Sequence, residues 1–133
     1  MVWKMNNLFE KIDLFVKLAS LFSGNDVLAK VKQIHHTEED FTEGNLTERI
    51  LKFKTYVLME LPIAKVSLGK YSVYDDVLTS LIENHKEDFL SGNYPPIVYD
   101  PEEEDIIDGT HRVEALERLG IASVKAFVGK EKE

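Results

Sequence analysis

The segment from Asp105 to Val128 constrains this chain more than any other: Asp-Ile-Ile-Asp-Gly-Thr-His-Arg-Val-Glu-Ala-Leu-Glu-Arg-Leu-Gly-Ile-Ala-Ser-Val-Lys-Ala-Phe-Val. The apolar pair Ile106-Ile107 runs into an acid and a glycine, which predicts a short strand closed by a tight turn at Asp108-Gly109. A helix of about ten residues follows. The Thr110 hydroxyl is placed to cap it, and Glu114 lies in its first turn. Val113, Leu116 and Leu119 recur on one face, and Ala115 is small enough for close packing. Gly120 stands where a left-handed terminator is wanted, and a second strand follows.

A helix start carries unpaired N–H groups and a partial positive charge, so it is a seat for anions. Gly109 leaves the backbone approachable. His111 and Arg112 add donors at the same rim, and Arg grips phosphate through two parallel bonds. Strand, Gly turn and Arg at a helix start make a phosphate-binding design. Each residue also has a structural alternative. Gly109 serves any turn, Arg112 can pair with Asp108 or Glu104, and His111 can point outward. Thr110 caps under either reading, and Glu114 with Arg118 makes an ordinary i,i+4 pair. Asp108 beside a phosphate is repulsive unless compensated. It can bridge through Mg²⁺, act as a base, or bond the amides of its own turn.

Charge narrows the partners. The 133-residue chain has a net charge of −8. Residues 1–60 hold eight basic and nine acidic side chains, and residues 61–133 hold eight and fifteen. The anion site therefore lies in the acidic half, which suits one enclosed phosphate site rather than a long nucleic-acid footprint. The length and 44% hydrophobic content suit one domain, 1–133, with a mainly helical extension over 1–45 and a core over 46–129. There is no cysteine, so no disulfide framework, thiolate metal site or Cys nucleophile. No apolar run reaches the roughly 20 residues of a membrane span, and the N-terminus shows no charged-then-apolar leader ending in a cleavage site, so a cytoplasmic protein is expected.

In the extension, Leu8, Ile12, Phe15, Ala19 and Phe22 share one helical face, with Gly24 past the end. Phe9, Val16, Leu18 and Leu21 widen that face, so the helix is sandwiched in the domain or shared with a second copy, and Trp3 can anchor the same contact. A second helix spans Asn25 to Gln33, capped by Asn25 or Asp26. His35 and His36 lie in an acidic loop, where sequence neighbours rarely converge on one metal ion. Leu51, Phe53, Val57, Met59, Leu61 and Ile63 alternate as one long or two successive strands, although Glu48 to Lys54 can extend a helix. Ser72 opens a helix with Val73, Val77, Leu78, Leu81 and Ile82 buried, and His85 lies near its end as a surface residue. Ile97-Val-Tyr99 is a strand, and the acids of Asp100 to Glu104 form a solvated tip. The order strand, helix, strand, strand, helix, strand implies an α+β domain with a small mixed sheet and flanking helices.

The run Asp108-Gly-Thr-His-Arg-Val-Glu-Ala-Leu-Glu-Arg-Leu-Gly120 resembles the ParB/sulfiredoxin superfamily, whose members share a Gly-x-x-Arg-x-x-Ala helix start after a strand. The resemblance covers residues 61–129. Leu61 to Leu68 is similar to the family's opening strand, Tyr71 to Leu90 to its first helix and Pro95 to Tyr99 to its next strand. It implies that this helix start holds the phosphates of ATP, ADP or CTP. Sulfiredoxin activity needs a Cys in the turn; Thr110 stands there instead, so that chemistry is excluded. Partition proteins add a second Arg-bearing motif and a helix-turn-helix, neither of which follows here. Free serine kinases of the superfamily carry an Asp-Gly-His-His-Arg turn, to which Asp108-Gly-Thr-His-Arg112 is similar. The family's Pro- and Arg-containing loop after the first strand is missing from Lys65 to Tyr71, where Lys65 or Lys70 can substitute.

The leading expectation is a small phosphotransferase or NTP hydrolase. Asp108 and His111 are its catalytic candidates, and Gly109, Thr110, His111, Arg112 and Lys70 its nucleotide contacts. Asp108 is also the Mg²⁺ ligand. A second expectation is a non-catalytic acidic interaction protein, a mimic of nucleic acid, that docks through its acidic face or apolar N-terminal helix. Homodimerisation is compatible with either, direct DNA binding and membrane insertion with neither. A nuclease ranks third, because the chain lacks a two-metal carboxylate cluster.

Overall fold

The computed structural model describes residues 21–34, 45–67 and 75–132. In chain order these form β1 (Leu21–Ser23), α1 (Gly24–Ile34), α2 (Leu46–Leu51), β2 (Phe53–Pro62) and α3 (Ile63–Val66), then α4 (Asp75–Ser91), β3 (Ile97–Asp100), β4 (Asp105–Asp108), α5 (Thr110–Arg118) and β5 (Ser123–Lys132). The sheet order is β1-β2-β5-β3-β4. Only β3 and β5 run parallel; the other neighbours are antiparallel.

Successive strand residues point to opposite faces, so a sheet with apolar runs in its middle must be covered on both. Ile97, Tyr99, Ile106, Val124 and Ala126 pack with Val113 and Leu116 of α5 and with Leu78 and Phe89 of α4. Val98, Ile107 and Phe127 turn the other way and meet Val27, Leu28 and Val31 of α1 and Ile50 of α2. The expected mixed sheet with flanking helices is present. Among the described residues no helix is long and apolar enough to cross a membrane.

Several local expectations are corrected. The helix drawn through Phe22 is a strand at Leu21–Ser23, because these residues pair with Thr55 to Val57 of β2; residues 1–20 lie outside the description. Gly24 begins the next helix instead of ending the previous one, and Ser23 rather than Asn25 or Asp26 caps it. Its Oγ accepts a hydrogen bond from Asp26 N–H at 3.0 Å. In β2, register shifts between Phe53, Thr55 and Tyr56 reset the alternation. Tyr56 is thereby fully buried, whereas Met59, assigned inward by simple alternation, is 44% exposed. Ile63 to Val66 is a helical turn and not a strand; pairing with β5 ends at Pro62, and the Ile63 N–H donates to Ala122 O at 2.8 Å. Val77 is exposed rather than part of the buried stripe. His35, His36, Tyr71, Ser72 and Val73 lie outside the described residues.

The β3–β4 turn is not a plain solvated tip. Asp100 is buried. It accepts hydrogen bonds from Lys52 Nζ at 2.8 Å and from the N–H groups of Glu102 and Glu103 at 2.8 and 3.1 Å. Lys52 and Lys132 also hold Glu102, and Arg49 pairs with Asp105.

Candidate functional site

β4 and α5 meet at Asp108-Gly109. Gly109 has φ 108°, the left-handed region that favours glycine. A methyl group there would sit 2.5 Å from Ile97 Cγ2 and 2.9 Å from Arg112 Nη2. The space opened by the missing side chain is thus filled by the chain itself, and glycine is required by packing as well as by conformation. Thr110 is the first residue of α5, and no side chain caps this helix, which corrects the capping role expected of Thr110. The helix ladder starts with Val113 N–H donating to Gly109 O at 3.1 Å, so the amides of the first turn precede it. At the far end Gly120 has φ 76°. Its N–H donates to Glu117 O and that of Ile121 to Leu116 O, the paired bonds of a left-handed helix stop.

Asp108 and Arg112 are each only 8% exposed. Arg112 Nη2 donates to Asp108 Oδ2 and to Pro96 O, both at 3.2 Å. Of the alternatives for Arg112, the contact with Asp108 is therefore made. It leaves the guanidinium incompletely satisfied: Nε is buried and has no hydrogen-bond partner among the described residues. A buried donor in that state typically costs about 1–3 kcal/mol.

These residues border a recess of about 860 Å³ lined by Asp108, Gly109, Thr110, His111 and Arg112. The opposite walls come from α1 (Lys30, Val31, Gln33, Ile34), from α4 (Val77, Leu81, His85, Asp88, Phe89) and from the loop Asn93 to Pro96. Lys70 is outside the described residues. The α1 wall is what the sequence reading missed. Nothing in the spacing of residues 24–34 signals a site, because their approach to α5 depends on sheet topology. His85, read as a surface residue, breaks the helical conformation of α4 with φ −129° and ψ 16°. Its Nδ1 lies 3.3 Å from Asp88 Oδ2.

Burial pushes the His111 imidazole below its usual pKa, the nearby Arg112 charge adds to that, and Asp76 acts in the opposite sense. Near pH 7 this ring is a neutral donor and acceptor at the rim. Asp108 already accepts from Arg112, so its carboxylate both offsets and positions the guanidinium. Among the described residues no group of three or more His, Cys, Asp or Glu side chains is arranged for a metal ion. A divalent cation held by the protein's own carboxylates does not fit this arrangement; one carried on a ligand's phosphates needs only a single carboxylate and waters.

No family model matches this sequence, and no curated protein matches it. Among solved structures it is similar to "Structure of the pNOB8-like ParB N-domain", at 20% identity and a TM-score of 0.36. The alignment covers 56% of this chain and 28% of that one. Superposition at that level leaves the chemistry of the recess to be argued from this chain's own residues.

Proposed function

We propose that the recess above the start of α5 binds a nucleoside di- or triphosphate (ATP, ADP or CTP), in a domain of ParB/sulfiredoxin-like type. The observation that carries this reading is the buried guanidinium of Arg112 with its unsatisfied Nε, set beside the first-turn amides of α5. The volume supports it, since small-molecule sites fall at roughly 300–1,000 Å³. So does the division of the walls: donors cluster at residues 109–112, while Val77, Leu81 and Phe89 offer an apolar surface to a base or sugar. Mg²⁺ enters with the phosphates, and Asp108, in the lining beside Arg112, is the carboxylate we assign to receive it.

Phosphoryl transfer or hydrolysis is the finer form of this proposal. His111 is the better proton acceptor, being held neutral at the rim. Asp108 is the weaker candidate for that role, because the Arg112 guanidinium on its Oδ2 draws down its basicity. A calorimetric titration with ATP, ADP and CTP, with and without Mg²⁺, tests the binding. We expect saturable heat for at least one nucleotide and a loss of about tenfold in Arg112→Lys, which keeps the charge but not the fork. Silence from all three nucleotides, with no thermal shift, overturns the proposal.

A second reading, a non-catalytic acidic protein that docks on a basic partner, is favoured by two observations. The carboxylate best placed for chemistry is spent on Arg112, and the side of Gly109 that a methyl would occupy is packed by Ile97. Stable capture of a basic protein by the wild type, with no nucleotide binding, would establish it instead.

A further inference from the structure

We infer that α1 is part of the ligand seat, with Lys30 as the cation that meets the phosphate oxygens farthest from Arg112. The inference rests on the nucleotide reading above and adds a residue outside the segment that carries the motif. Arg112 and Asp108 neutralise each other at 3.2 Å, so as a unit they carry no net charge. The amides of a helix start supply only about half a positive charge. Polyphosphate brings several negative charges into a chain of net charge −8, and a fixed cation at the recess offsets the charge that a phosphate-borne Mg²⁺ leaves.

Lys30 is the residue in the lining that meets this need. Its ammonium makes no hydrogen bond or ion pair among the described residues; the contact it makes is with the Phe22 ring, 5.8 Å from the centroid. That distance is at the outer edge of a useful cation–π contact. The acids of the lining are already engaged: Asp108 with Arg112 at 3.2 Å and Asp88 with His85 at 3.3 Å. Lys30 borders the recess, and its charge is engaged by no acid among the described residues. It also stands on a helix that Val27, Leu28 and Val31 anchor in the core, which gives the cation a rigid base.

The test is calorimetry with AMP, ADP, ATP and inorganic pyrophosphate on the full chain, at two salt concentrations. Wild type is compared with Lys30→Gln and with Lys130→Gln, which removes the same charge from an exposed position outside the recess. We expect Lys30→Gln to weaken ATP binding about tenfold, AMP binding much less, and to lower the salt dependence. Lys130→Gln should stay within about twofold of wild type. If wild type binds ATP and the two variants are equal, Lys30 has no part in the seat and the nucleotide reading survives. If wild type binds none of the four compounds, that reading falls and this inference with it. Loss of pyrophosphate affinity in step with ATP assigns Lys30 to the phosphates; loss with ATP alone overturns that assignment.

Discussion

The hairpin formed by β3 and β4 carries a buried carboxylate at each end, and the two are treated differently. Asp100 is saturated by an ammonium and two backbone N–H groups, and Lys52 in turn holds Glu102. Burial works to raise its pKa, but Lys52 and the Glu103 and Glu102 amides outweigh burial and lower it. Asp108 accepts from Arg112 Nη2, and that guanidinium keeps a buried Nε without a partner among the described residues. Proteins rarely leave such groups unmatched. The saturated end ties α2, β2 and β5 together, whereas the unsatisfied end faces a recess. The contrast lies in charge left incompletely hydrogen-bonded beside a recess; Thr55 Oγ1, a neutral hydroxyl outside the recess, is also buried without a partner among the described residues.

The sharpest way to break this contrast is Asp108→Ala. Stranding a nearly buried guanidinium should cost about 3–5 kcal/mol in urea unfolding. Added phosphate or sulfate should recover part of that loss, because an anion can take the vacated place beside Arg112. A loss smaller than that of Asp100→Ala, or no anion rescue, would erase the distinction. Gly109→Ala comes next, at about 2–3 kcal/mol, since it combines left-handed backbone strain with a clash against Ile97. Asp100→Ala should cost about 1–3 kcal/mol by leaving the turn amides without their acceptor, and no anion should rescue it.

The acid limb of stability sharpens the comparison further. The folded-state pKa of Asp100 is depressed, so its contribution is complete above the ordinary value of 3.8 and disappears as pH falls through the lower folded value. Asp100→Ala should flatten that part of the profile. The smallest expected effect is at His111, whose folded pKa also lies below its ordinary 6.5. Protonation then favours the unfolded chain, so stability falls slightly as pH drops below 6.5, and His111→Gln should remove that slope.

Much of this was legible wherever local chemistry decides. The Asp108-Gly109 turn, the helix to Arg118 and the stop at Gly120 follow from glycine conformation and helical spacing. The order of elements from β2 to β5 was equally readable. What escaped depends on pairing across the sheet. Leu21–Ser23 has helical periodicity upstream and becomes a strand only because β2 offers an edge. The bulged start of β2 turns Tyr56 inward through its partners on β5, which spacing within β2 cannot reveal. The acids after Asp100 look solvated until Lys52 and Lys132 are brought to them. Lys30 enters the recess for the same reason.

One consequence follows from the strand order. The ribbons β1–β2 and β3–β4 do not pair with each other; β5 alone joins them, antiparallel to one and parallel to the other. The strand that closes the middle of the sheet is the last of the described elements to leave the ribosome. Both ribbons therefore keep an open edge until residues 123–132 pair between them.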